Sequence, residues 1–225
     1  MSSPPAVQPR GFRALVPAPV WRELVRSATR REFRPNESLL VQDAPGTSLL
    51  LLESGRVRVV REGRDGRGRV LVALRGPGDL LGELAGHGDR RRVASVLALE
   101  PCVAHSIAYE AFRRLLRRHA VEQQFDAYIV AKMDEFAERS ADLAGVRPLY
   151  RVADLFLQLV RLADPWHPEP LRIPLSQVAV AEALGLSRRA VAQIVADLRG
   201  QGVLTDGDPV EVADVGRLHV LAHAL

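Results

Sequence analysis

The sequence predicts an α+β protein in which an antiparallel β barrel or sandwich comes first, a long helix follows, and a helix-turn-helix with a wing comes last. Three observations carry this reading. From Phe33 to Ile107, short apolar runs (SLLV, SLLLLE, VRVV, RVLVALR, VASVLALE, VAHSIA) alternate with turn clusters such as RPNE, DAPG, REGRDGRG and GPGD, the texture of short antiparallel strands. From His119 to about Leu143, apolar residues (Val121, Phe125, Tyr128, Ile129, Phe136, Leu143), with Lys132 among them, recur at three- or four-residue spacing, the period of a helix face. Residues 175–204, LSQVAVAEALGLSRRAVAQIVADLRGQGVL, carry two short helical patterns around a glycine.

Each element has a local reason. Val20 to Arg31 reads as an amphipathic helix with Trp21, Leu24, Val25 and Ala28 on one side, and Tyr109–Leu116 as another short one. The long helix lies between two predicted domains, where it can pair with its own copy in a second chain, Phe125 and Phe136 repeating along the pairing side. Ala144-Gly145 breaks the pattern, and Pro148 suits the first turn of a helix running to about Ala163. After the Pro-rich DPWHPEP, Val180 and Leu184 share one helix face, with the small Ala181 where a second helix must cross. Gly185 supplies the positive φ of a helix end, and Ser187 can cap the next helix, which buries Val191, Ile194 and Leu198. Arg188, Arg189 and Gln193 then face outward near the helix start, where Arg bonds guanine edges or phosphate and Gln bonds adenine. An ordinary two-helix hairpin with solvated arginines is the alternative. LTDGDPVEVAD reads as a hairpin wing and GRLHVLAHAL as a closing helix.

Composition narrows the function classes. The chain has 225 residues, enough for one large domain or two modest ones, and a net charge of +4. That charge is uneven: residues 1–119 carry 21 arginines against 12 acids, residues 120–146 two bases against six acids, and residues 147–225 eight arginines against nine acids. Any attraction of the C-terminal part for nucleic acid therefore depends on local placement of Arg188 and Arg189 and on doubling in a dimer. Aromatic residues make up 5%, too few for a base-stacking single-strand binder. The lone Cys102 excludes a disulfide framework, a CxxC pair and a cysteine-ligated iron–sulfur cluster. His87, His105 and His119 stand singly and read as surface or turn residues rather than haem ligands. With no grouped metal ligands and no nucleophile–base pair, the reading is a non-enzyme without metal or haem. No apolar run approaches the ~20 residues of a membrane span, and the start lacks a signal-peptide core, which predicts a cytoplasmic protein with no membrane partner.

Within the barrel stretch stand Gly82-Glu83-Leu84-Ala85, then GHGDRR, then Arg92-Val93-Ala94-Ser95-Val96. A glycine and the N–H groups after it can wrap an anion, a carboxylate can hold a ribose hydroxyl, and an arginine can pair a phosphate. A turn glycine and a solvated arginine would explain a lone GE and R; the flanking pattern decides. SGRVRVV, GPGDLLGELA and R-x-A-S-V together resemble the phosphate-binding cassette of cyclic-nucleotide-binding domains, with the spacing of the eukaryotic kinase type.

Cassette, long helix and winged helix-turn-helix, in that order over about residues 20 to 215, resemble the Crp/Fnr family of the bacterial cyclic-AMP receptor protein and the fumarate-nitrate regulator. The resemblance implies a β-roll sensor of the cyclic-nucleotide-binding fold over 1–119, a dimerisation helix and hinge over 120–145, and a winged helix-turn-helix DNA-binding domain over 146–225. It implies Gly82, Glu83, Leu84, Arg92 and Val93 as ligand-binding residues, and Ser176, Ser187, Arg188, Arg189 and Gln193 as DNA-binding ones. Its partners would be double-stranded operator DNA, a second copy of the chain and RNA polymerase, with cyclic AMP or another nucleotide as the ligand. Three departures matter. Val93 replaces a phosphate-bonding hydroxyl, which speaks against cyclic GMP more than cyclic AMP. Phe136 and Ala137 replace the adjacent Thr and Ser that cover the adenine, so Phe136 either stacks on a base or fills a pocket that stays empty. Arg188-Arg189…Gln193 replaces Arg-Glu…Arg, so a different operator is expected. Two other readings stay open: a ligand-independent regulator with an empty β-roll, and a nucleotide-binding module that controls a protein partner.

Overall fold

The computed structural model describes residues 10–62, 69–85, 91–142, 147–164 and 166–223. Two short helices, α1 (Gly11–Leu15) and α2 (Ala18–Arg26), lead into the strands β1 (Thr29–Phe33), β2 (Ser38–Leu40), β3 (Ser48–Ser54), β4 (Val57–Glu62), β5 (Arg69–Arg75), β6 (Leu80–Leu81), β7 (Ser95–Ala98) and β8 (Cys102–Ala108). A 3-10 turn at Glu83–Ala85 separates β6 from β7. The strands form two antiparallel four-stranded sheets, in the orders β1-β8-β3-β6 and β2-β7-β4-β5. The helices α3 (Tyr109–Arg118), α4 (Glu122–Asp142), α5 (Pro148–Leu162), α6 (Gln177–Leu184), α7 (Arg188–Gly200) and α8 (Val215–Ala222) follow.

The run SLLLLES shows why the sheets read as apolar stretches rather than alternating ones. Successive side chains on a strand point to opposite faces. Leu50 and Leu52 of β3 enter the roll interior with Phe33, Val57 and Val96. Leu49 and Leu51 face outward into a second core with α1, α2, α3 and the start of α4. Both faces of β3 are covered, so neither needs polar residues. The outer face of the other sheet is covered too. Val60, Leu71, Leu74, Leu97 and Leu99 share a third cluster with α5, α6, α7 and α8, so the β-roll and the C-terminal helices are built on one continuous apolar core.

Several expectations are corrected. The helix foreseen to Arg31 ends at Arg26, because Thr29–Phe33 pairs with β8 (Thr29 opposite Ser106, Phe33 opposite Cys102) and sheet pairing overrides the local period. Helix α1, unforeseen, exists because Phe12 is fully buried against the rings of Phe112, Phe125 and Tyr128. The wing consists of single bridges, Leu204 to Val212 and Arg172 to Glu211, rather than a two-stranded hairpin.

The long helix also divides differently from the sequence reading. Val121, Phe125 and Tyr128 are buried inside their own chain, whereas Val130, Met133 and Phe136 are exposed. Phe125 is 1% exposed and packs edge-on to Phe12 and Phe112, which removes it from any pairing face. Leu143 and the 143–146 break lie outside the described residues. Phe125→Ala is therefore expected to cost about 3–5 kcal/mol of stability, read by chemical denaturation, without acting on chain association.

Candidate functional site

A cavity of about 470 Å³ opens between the β-roll and α4, within the range of small-molecule sites. Its walls come from β4, β5, the β6–3-10 turn, the start of β7 and one face of α4. Gly82, Glu83, Leu84, Arg92, Val93 and Phe136 all line it. Gly82 sits at φ +81, and a Cβ there would collide with the Arg92 guanidinium, so only glycine lets the arginine lie across the turn. Arg92, 4% exposed, donates from Nη1 to the Gly82 carbonyl at 2.8 Å and from Nη2 to the Ser48 carbonyl. It makes no ion pair among the described residues. Burial lowers its pKa, with Glu83 acting in the opposite sense.

Glu83 opens the 3-10 turn with its side chain buried. Burial pushes its carboxyl above the usual range, while a hydrogen bond from its own main chain and the charge of Arg75 pull it back. Val93 is exposed at the cavity mouth. Ala137 is exposed and does not reach the cavity; Lys132 and Met133 do.

Sequence reading missed a polar network that reaches the cavity through Arg75 and Lys132. Arg75 Nη1 donates to the Leu74 carbonyl at 2.8 Å and to Glu135 at 3.1 Å. Lys132 reaches Glu135 at 2.7 Å and Asp79 at 3.4 Å, and it lies over the Tyr128 ring. The Tyr128 hydroxyl donates to Asp79 at 2.9 Å and accepts from the Leu80 N–H at 3.1 Å. Burial, helped by the Asp79 and Glu83 charges, raises the Tyr128 pKa well above its ordinary value. Burial works against the charge of Arg75, yet Tyr128, Asp79, Glu135 and Glu83 together outweigh it and raise its pKa. The signal for this network was Lys132, a charge inside an otherwise apolar period.

The second constellation is the helix-turn-helix. Ser176 caps α6 by accepting from the Ala179 N–H at 3.2 Å, and Ser187 caps α7 by accepting from the Ala190 N–H at 3.1 Å. Gly185, at φ +61, ends α6 in the left-handed region. Val191, Ile194, Val195 and Leu198 of α7 turn inward, leaving Arg188 and Arg189 exposed on its first turn. Gln193 is exposed as well, its amide donating to Asp197 at 2.9 Å. Arg199 braces the wing through the carbonyls of Thr205 and Gly207.

Of the histidines read as surface or turn residues, one needs correction and His119 does lie in a turn. His105 is not at the surface but buried in β8, with Nε2 2.8 Å from Glu53. His119 ends α3 and bonds Glu23 at 2.8 Å. His87 lies outside the described residues. Among the described residues no three His, Cys, Asp or Glu gather as a metal site, and no helix is long and apolar enough to cross a membrane.

The architecture is thus a β-roll with a cavity against a long helix, followed by a capped helix-turn-helix. The comparisons agree. The family model described as cyclic nucleotide-binding domain matches residues 30–119, and that of the Crp-like helix-turn-helix domain matches residues 150–221. The chain is 30% identical over 220 residues to the cyclic AMP receptor protein of Thermus thermophilus, covering 95% of this chain and 97% of the relative. It is 27% identical over 191 residues to the CRP-like cAMP-activated global transcriptional regulator of Mycobacterium tuberculosis, covering 83% and 85%. A solved CRP-family transcriptional regulator from Thermus thermophilus shares the fold with a TM-score of 0.69 at 23% identity, over 85% of this chain and 96% of that one. The chain belongs to the Crp/Fnr family of transcriptional regulators.

The raised Glu83 pKa has a stability consequence. A folded-state pKa above the unfolded value means that stability is present in full below the ordinary carboxylate range. It is lost as pH rises through the folded value. Glu83→Gln is therefore expected to match the wild type near pH 4 and to exceed it in stability at pH 7.5, measured by denaturant titration of the ligand-free protein.

Proposed function

We propose that the chain is a homodimeric DNA-binding transcriptional regulator, not an enzyme, gated by cyclic AMP in the β-roll. The observation that carries the ligand half is Arg92, a buried guanidinium that, among the described residues, hydrogen-bonds only to neutral carbonyls on the wall of a largely apolar cavity. A buried cation without a counter-charge is costly, and a phosphate supplies the charge-assisted partner that carbonyls do not. In this reading the N–H groups after Gly82 face the phosphate, Glu83 holds the ribose hydroxyl, and Leu84 and Val93 line the ligand. Phe136 stacks on the base. Val93, lacking a hydroxyl, disfavours cyclic GMP. The relatives' names, cyclic AMP receptor protein and cAMP-activated regulator, support the choice of nucleotide.

The DNA half assigns Arg188, Arg189 and Gln193 to base edges and Ser176 and Ser187 to the backbone. The sensor is placed at 1–119, the dimer helix at 120–145 and the reader at 146–225. Exposed Val130, Met133 and Phe136 on α4 supply the dimer face. Two recognition helices must then meet half-sites about 34–36 Å apart. The ligand acts by binding one helix arrangement more tightly than the other, and RNA polymerase is the machinery on which the bound dimer acts.

A ligand-independent regulator is the second reading, favoured by one fact: the two carbonyls already satisfy Arg92 in part. Calorimetry separates the two. Cyclic AMP is expected to bind the wild type and to fail with Arg92→Leu; binding that survives Arg92→Leu overturns the cassette assignment, and no binding to the wild type at millimolar nucleotide favours the ligand-free regulator. On DNA, Arg188→Ala should weaken binding by about 1–3 kcal/mol, read by fluorescence anisotropy at fixed salt, with folding intact. Met133→Glu should yield monomers in sedimentation, because it buries an unpaired charge in the proposed interface.

A further inference from the structure

The seam between the β-roll and the C-terminal helices holds a buried ion pair that neither constellation uses. Arg56, immediately before β4, is 1% exposed. Its Nε donates to Glu100 Oε1 at 2.9 Å and its Nη2 to Glu100 Oε2 at 2.6 Å, a bidentate pair inside the β-roll. Its Nη1 crosses the seam, donating to the carbonyls of Leu159 at 3.0 Å, in the last turn of α5, and Arg172 at 3.2 Å, ahead of α6. From the other side His167 Nε2 lies 3.1 Å from Glu100 Oε2. Its Nδ1 accepts from the Glu169 N–H at 3.0 Å, which leaves Nε2 carrying the hydrogen that Glu100 accepts. At the same seam Gly76 approaches α5 so closely that a Cβ would lie 2.8 Å from the Leu162 carbonyl.

We infer that Arg56 is a positioning residue for DNA recognition: with Glu100 and His167 it locks α5 and the segment entering α6 onto the β-roll, fixing the direction in which the recognition helix points. The apolar cluster at the seam supplies attraction but little direction. A guanidinium with donors aimed at a carboxylate on one side and two main-chain carbonyls on the other fixes orientation as well. Only the DNA half of this claim rests on the proposed function.

Arg56→Lys tests it in the full-length protein. A single ammonium can keep the charge of the Glu100 pair but not the fork that also spans the seam. Hydrogen–deuterium exchange over residues 156–184 is expected to accelerate at least about ten-fold, while β3 and β8 keep wild-type protection. The double substitution Arg56→Met with Glu100→Leu leaves neither member of the pair as an unpaired buried charge and should loosen the same segment. Protection of 156–184 that survives both changes overturns the inference, as does equal loosening of β3 and β8, which would make Arg56 a brace of the roll alone. On duplexes whose half-site spacing differs by one or two base pairs, the wild type should discriminate by at least about ten-fold and Arg56→Lys by less than about three-fold, because the spacing of the recognition helices is then no longer fixed. Unchanged discrimination overturns the DNA half. A wild type that binds no DNA fails the proposed function instead, and the exchange result still decides the lock.

Discussion

Burial of the outer face of the β2-β7-β4-β5 sheet is the constraint on which the rest of the structure depends. A sheet with apolar residues on both faces must be covered on both. Here the cover for Val60, Leu71 and Leu74 is the C-terminal helical unit, whose own core joins theirs without a break. The consequence is mechanical. Helices α5 and α6 rest on the β-roll, and α7, which carries Arg188 and Arg189, is packed directly on α6. The same strands, β4 and β5, line the cavity on the α4 side. One sheet thus lies between the proposed ligand and the proposed reader.

Two buried arginines show how one side-chain type serves opposite purposes. Arg56 has its charge matched by Glu100 and its remaining donors taken by main-chain carbonyls, so its desolvation is offset within the chain. Such a residue holds elements in place. Arg92 has two carbonyls but no carboxylate within ion-pair distance among the described residues, and burial depresses its pKa. Such a residue is receptive to an anion. Glu83 complements it: a buried carboxyl whose ionisation is disfavoured until something in the cavity or around it compensates.

Much of the site was legible because its local chemistry is stereotyped. Gly185 and Ser187 announced the helix-turn-helix through the conformations that they favour, and the pattern flanking Gly82, Glu83 and Arg92 drew attention to three residues that line one cavity. What escaped were features fixed by contacts distant in sequence. Phe125 and Phe136 have the same periodicity, but only the folded chain shows that the first is buried against Phe12 and the second is half exposed at the cavity. Thr29–Phe33 reads as the tail of a helix until β8 claims its backbone. His105 is isolated in sequence and gains its partner, Glu53, only through strand pairing. Arg56 stands in the turn before β4 and Glu100 in the turn between β7 and β8, 44 residues apart, and nothing in either neighbourhood says that they meet. Arg75, Asp79 and Tyr128 join Lys132 in the same way, across a turn and a helix.

Under the proposed function, this chain reads a specific DNA sequence under the control of its β-roll. Selection of genomic DNA fragments by the purified full-length protein, with and without cyclic AMP, tests it most directly. One enriched, approximately two-fold symmetric motif is expected, differing from the operator of the cyclic-AMP receptor protein and recovered more strongly when the nucleotide is present. Enrichment of no motif in either arm would contradict the claim that the chain reads DNA, and an equally strong motif in both arms would contradict control by cyclic AMP.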